Sequence, residues 1–430
     1  MSASQKDATA AIPPEILSRI VSLSLETESP TESLDVTKGA WPYGRVCRRW
    51  RDLVLSDPFL WDDLVMKVAH PVPPFITYGP DGIDIVNEAE IQSHKRSSHK
   101  FLKDKTILSS SSVSILTEYL KRSRGLPLHV SLMVTESAGC ADSSIFHAFF
   151  TLLLSHVPRW KTLEYTIPDE GDCDLVCRAL IRDGSSLVHL KGKPPSCSSE
   201  THILHICYCL FFPHFADRLV SLDITPLMYT PRHSNHATTT MSRLRILKVY
   251  STDILDRLTA PALHELFVLG THEIAAPLWS FIERSQIFHS LRSLSFDYIP
   301  TPASVYVIQG LTALATLIMK DIIMIDLPLL QWLSRACPKL ETLKISELRR
   351  RRGPHVHVDK ECLVFLVQLL RDRLENGALE VVSIQLRKPL LLDTDETLRE
   401  QVEELQAKEG VDITLMEFTL SDQSERWDPI

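Results

Sequence analysis

Apolar residues recur at helical spacing near the start of the chain. Ile16, Leu17, Ile20 and Leu23 form one face along Glu15–Leu25, the pattern of an amphipathic helix. Pro13 and Pro14 come just before it, where a backbone N–H would have no intrahelical partner, and Glu15 suits the positive end of the helix dipole. From Glu26 to Tyr43, Pro30, Gly39 and Pro42 interrupt the pattern among acidic and hydroxyl residues, which predicts a loop. Helical periodicity resumes with Val46, Cys47, Trp50, Leu53 and Val54, with Arg45, Arg48, Arg49 and Arg51 on the other faces, and Ser56-Asp57-Pro58 ends it.

Further along, Val65–Lys67 reads as a short strand. Pro71, Pro73, Pro74, Gly79, Pro80 and Gly82 then mark irregular chain, and His94–Lys105 reads as a solvated basic run. Order returns with a helix through Val113, Leu116 and Leu120 and an alternating strand over Pro127–Met133. Beyond Trp160 a short template recurs, with apolar residues at a first position, three residues on and five residues on. Its clearest copies are Leu219/Leu222/Ile224, Leu244/Leu247/Val249, Leu263/Leu266/Val268 and Leu291/Leu294/Phe296. Leu314/Leu317/Met319, Leu340/Leu343/Ile345 and Leu379/Val382/Ile384 continue it, with weaker copies at Trp160/Leu163/Tyr165 and Leu187/Leu190.

Helical candidates lie between the copies at Ser144–His156, Ile203–Phe215, Pro277–Phe288, Leu327–Cys337 and Cys362–Leu374. A strand followed by a helix, repeated, is a unit that buries its apolar edge only by stacking on its neighbours. The interval between copies wanders, and no regular Asn or Cys follows the template. An ordinary α/β domain therefore stays open as the alternative. Strand positions such as Lys248, Ser295 and Lys344 are expected to face outward. Asp395–Glu409 reads as an acidic amphipathic helix and Val411–Phe418 as a last strand.

The net charge of −8 over 430 residues argues against a nucleic-acid partner or a cationic membrane-surface role. Nine cysteines without framework spacing suit a reducing compartment. The polar Met1–Ala10 lacks the apolar stretch of a secretory signal, and no apolar run reaches the roughly 20 residues of a membrane span. The expectation is a cytoplasmic or nuclear protein. No phosphate-binding glycine loop, paired-histidine zinc helix or serine elbow is present. His202, His205, Cys207 and Cys209 crowd an apolar segment and read as core rather than metal ligands. Cys173 and Cys177 read the same way, and no metal or cofactor is expected. Arg349–Arg352 reads as a solvated loop, with an import or acidic-partner patch as the sharper alternative.

Three ordered blocks resemble the F-box: Ile12-Pro-Pro-Glu-Ile-Leu17, Val46-Cys-Arg-Arg-Trp-Arg51 and Asp57-Pro-Phe-Leu-Trp61. Two departures from the family pattern are Ile12 in place of the usual Leu and a long loop between the first two blocks. The resemblance implies a small helical module over 12–64 that docks a Skp-type adaptor of a cullin–RING ubiquitin ligase. It places Ile12, Pro13, Ile16, Leu17 and Ile20 on or beside the adaptor surface, completed by Val46, Cys47 and Trp50. The segments behind resemble the irregular leucine-rich repeat body of F-box proteins of mushroom-forming fungi. The expected organisation is α/β: the module, a connecting segment over 65–111, a repeat-like strand/helix solenoid over 112–418 and a tail over 419–430. The implied function is non-catalytic: to recognise an unknown target protein for an SCF-type ligase. The alternatives are a repeat scaffold with a degenerate F-box and an enzyme on an α/β body.

Overall fold

The structure is a computed structural model. It describes residues 12–27, 33–72, 76–79, 82–85, 108–138, 143–167, 170–193, 212–224, 238–250, 252–269, 275–297, 310–322, 327, 330–331, 333, 339–347, 360–387, 395–408 and 410–416. The chain is a mixed α/β protein built on parallel sheet. It divides into two compact units, Met1–His214 with Leu227–Tyr229, and Phe215–Pro226 with Thr230–Ile430.

The first unit opens with α1 (Pro14–Thr27) and α2 (Arg48–Ser56), then β1 (Asp63–Val72) and a hairpin of β2 (Ile76–Gly79) and β3 (Gly82–Ile85). It continues with α3 (Ser110–Arg122), β4 (Leu128–Ala138), α4 (Ser143–Leu154), β5 (Trp160–Thr166), α5 (Glu170–Asp183) and β6 (His189–Lys193). Strands β1, β4, β5 and β6 pair in that order, all parallel, so each joins the next through a crossover helix or long connection. Alternate strand residues bury one face: Leu64, Met66 and Val68, then Val130, Leu132 and Val134, then Leu163 and Tyr165. Leu116, Leu120, Phe149 and Leu153 are buried on the connecting helices.

The short strand expected at Val65–Lys67 is thus ten residues long and runs in register with β4 from Asp63↔His129 to Val72↔Ala138. Pro71 is compatible with this because β1 is the outer strand of its row. Val65 turns its backbone away from β4, to Ser33. Pro71, six residues on, faces the same way, so its missing N–H removes no ladder bond.

The second unit carries β7 (Ser221–Ile224), β8 (Thr239–Thr240), β9 (Ile246–Val249), α6 (Asp253–Arg257), β10 (Leu258–Thr259) and β11 (Glu265–Val268). There follow α7 (Ala275–Ser285), β12 (Ser293–Asp297), β13 (Thr316–Ile322), β14 (Thr342–Glu347), α8 (Lys360–Glu375), β15 (Val381–Arg387), α9 (Glu396–Gln406) and β16 (Val411–Met416). Apart from β8 and β10, which pair with each other, these strands stack in parallel and in chain order.

The template copies align in register. Leu222, Leu247, Leu266, Leu294, Leu317, Leu343 and Val382 form one buried row, and Ile224, Val249, Val268, Phe296, Met319, Ile345 and Ile384 form the next. A second ladder lies at the start of the strands. The carbonyls of Val220, Arg245, His264, Arg292, Ala315 and Glu341 each accept two N–H groups from the following copy, as with Arg245 and Ile246 onto Val220 at 2.8 and 3.1 Å. Backbone groups therefore perform the joining that a side-chain Asn ladder would otherwise supply.

On the opposite face Lys344 is exposed, and Lys248 lies 3.2 Å from Asp223. Ser295, expected to face outward, is buried instead, flanked in register by the larger Phe267 and Ile318. Only 212–215 of the helix expected over Ile203–Phe215 is described, and it is helical. Most of Leu327–Cys337 lies outside the described residues.

Candidate protein-docking surface

α1 carries two apolar stripes. Leu17 and Val21 are fully buried, whereas Ile16, Ile20 and Leu23 are 51%, 40% and 44% exposed. These three stand at i, i+4 and i+7 and so line one side of the helix, with exposed Pro13 continuing the row. Hydrogen bonds link the α1 and α2 segments: the Arg49 guanidinium donates to the Ile12 carbonyl, and the Ser18 hydroxyl donates to the Asp57 carboxylate. Val46, three residues before Arg49, is 61% exposed, and Phe59, two residues after Asp57, is 69% exposed. An uncovered apolar side chain thus flanks each end of α2.

Of the residues nominated from sequence, Pro13, Ile16, Ile20 and Val46 are exposed, while Ile12, Cys47 and Trp50 are half-buried. Trp50 stacks on Tyr43 at 6.0 Å between ring centroids. Leu17 lies in the interior, beneath the exposed stripe. Leu23 and Phe59 belong to the uncovered apolar set without having been nominated. The helical spacing from Ile16 was the signal for Leu23, while Phe59 had none beyond its place in the third block.

Sequence reasoning also missed what secures the helices to the sheet. Trp41 and Trp61 meet edge to face at 4.9 Å, and Trp61 meets Tyr119 of α3 likewise at 5.2 Å. The Arg122 guanidinium lies 4.6 Å from the Trp41 ring centroid and 4.7 Å from that of Trp61. The polar edges of these rings are satisfied: Trp61 Nε1 donates to Val54 O at 2.8 Å, Trp41 Nε1 to Ser33 O at 3.2 Å, and Tyr119 Oη to Asp63 O. Burial pushes the Tyr119 phenol far above its ordinary range, and burial beside Asp63 raises the Asp62 carboxyl.

Among the described residues no group of three His, Cys, Asp or Glu side chains could hold a metal ion, and no helix is long and apolar enough to cross a membrane. Cys47, Cys173, Cys177 and Cys362 are not joined in disulfides, and the last three are buried. Burial lowers the pKa of His156, at the end of a helix, and of His189, on β6. His129 Nδ1 lies 2.9 Å from the Thr162 hydroxyl. These are contacts within or between adjacent elements. The His202–Cys209 cluster, the basic run His94–Lys105 and Arg349–Arg352 all lie outside the described residues. No protein-family model matches the chain, and no curated protein matches it either.

Proposed function

We propose that the chain is the substrate-recognition subunit of an SCF-type cullin–RING ubiquitin ligase. The F-box-like module docks a Skp-type adaptor through the outer stripe of α1 with Val46 and Phe59. The parallel repeats behind it act as a leucine-rich repeat-like solenoid that holds a target protein. The chain contributes proximity, and other subunits make the bonds.

The observation that carries this reading is the double-sided α1. Leu17 and Val21 supply the internal packing of the module, so Ile16, Ile20 and Leu23 are surplus to it. A row of half-exposed aliphatic side chains on one helix fits a groove-docking partner. Covering five such side chains would contribute about 1 kcal/mol each, since full burial gives about 1.5–3 kcal/mol and each already hides part of its surface.

The test is a pull-down with purified Skp-type adaptor. Wild type is expected to bind. Ile16→Asp and Ile20→Asp are expected to weaken binding about 100-fold or more, because each would leave an unpaired carboxylate in a dry contact, while circular dichroism stays that of the parent. Leu17→Asp is the contrasting control, expected to disrupt the module itself. If wild type fails to bind where a control F-box does, the docking reading is wrong.

A further inference from the structure

The dipole of α2 disfavours the arginines of its first turn. Arg48, Arg49 and Arg51 occupy its first turn, where no acidic residue is present and the N-cap Cys47 makes no side-chain capping bond. Cations at a helix N-terminus are unfavourable, because the dipole there is already positive. Arg45 is exposed just upstream, Arg48 is 93% exposed at its side chain, and Arg51 is exposed while donating to the Gly44 carbonyl at 2.9 Å. Asp52 lies 3.9 Å from Arg48 and is itself 70% exposed, so solvent largely screens that pair. A basic cluster therefore borders Val46 in a chain whose net charge is −8.

We infer that the partner of this surface presents an apolar groove rimmed by carboxylates, and that Arg45, Arg48 and Arg51 steer it onto the exposed stripe. This inference rests on the docking reading above and adds the chemistry of the partner's rim. The apolar stripe supplies the held contact, and the cluster supplies the long-range attraction. Rim charges of this kind act on the association rate and on its salt dependence far more than on dissociation. The dipole of α2 opposes the three arginines of its first turn, Arg48, Arg49 and Arg51.

The experiment measures association and dissociation rates of the full chain with purified Skp-type adaptor by surface-immobilised kinetics, from about 50 to about 300 mM salt, a range that shortens the screening length about 2.5-fold. Wild-type association is expected to slow about tenfold across that range. Arg45→Glu/Arg48→Glu should associate about tenfold more slowly at low salt, with dissociation changed less than about threefold. Thermal unfolding of the same variant should be unchanged or raised, because Glu suits the helix start; a merely structural role for the arginines would move it down. Arg45→Gln/Arg48→Gln should fall between. Binding that is independent of salt and of these substitutions overturns the acidic-rim inference while leaving the docking reading in place. Absence of wild-type binding at every salt concentration overturns both.

Discussion

Replacing Arg122 by alanine removes a cation packed against two indole rings. The side chain is 17% exposed, so each ring contact belongs near the desolvated end of the cation–π range, about 1–2 kcal/mol. Two rings give about 2–4 kcal/mol. The pair with Glu118, 3.0 Å away but 41% exposed at the carboxylate, adds about 0.5 kcal/mol after screening. This energy fastens the Ser33–Trp41 segment to β1, where the Ser33 N–H meets the Val65 carbonyl at 2.7 Å. Hydrogen–deuterium exchange of that segment reads the effect directly. A loss of about 3 kcal/mol in local opening corresponds to amides exchanging about 100-fold faster. Arg122→Lys should fall between, because it keeps the charge and loses the planar stacking surface. Arg122→Met keeps the apolar stem and should exchange nearly as fast as the alanine variant. Full protection in the methionine variant would show that stem packing, and not the cation, holds the segment. Acceleration of less than about threefold in Arg122→Ala would refute the energetic reasoning altogether.

Gly192→Val should destabilise the first unit by about 1–3 kcal/mol, measured by chemical denaturation, because a Cβ there would lie 2.6 Å from the Tyr165 ring. Combining it with Tyr165→Leu should recover much of the loss. Gly410→Ala should cost about 1 kcal/mol or more, since Gly410 has φ of +82° and a Cβ would collide with the Glu380 carbonyl; limited proteolysis near β16 is the readout. Burial, and then the charge of Arg159, which donates to Nδ1 at 3.3 Å, lower the pKa of His156. Its folded pKa is therefore below the ordinary 6.5, the unfolded chain binds the extra proton, and its contribution to stability is present above that value and lost as pH falls through the folded pKa. His156→Gln should flatten that part of the acid limb in denaturant midpoints measured against pH.

The parallel strands were legible because a buried parallel strand needs little beyond apolar residues at alternate positions. Leu266/Val268 and Leu294/Phe296, separated by a full connection in sequence, face each other directly in the sheet. Helix spans such as Lys360–Glu375 and Glu396–Gln406 were also legible within a few residues, since their stripes are long. The extent of β1 was not, because whether Pro71 ends a strand depends on which edge it faces. Side-chain exposure on α1 was half legible: periodicity marks an apolar helix, but not which of two stripes turns inward, so Leu17 and Ile16 read alike. The Trp41–Arg122–Trp61 arrangement joins residues about eighty positions apart, and no local pattern marks such a meeting. Ser295 was misread because alternation ignores the size of neighbours on adjacent strands.

The doubled N–H bonds onto Val220, Arg245, His264, Arg292, Ala315 and Glu341 involve only backbone. Any residue except proline can occupy the donating positions, and the length of chain between two copies does not enter the bond. The spacing from Leu244 to Leu263 is 19 residues and that from Leu340 to Leu379 is 39, yet both reach the same register. A frame of this kind can accept insertions and deletions outside its strands over evolutionary time while keeping its alignment, so a lineage of such chains can vary the length between strands without rebuilding its core.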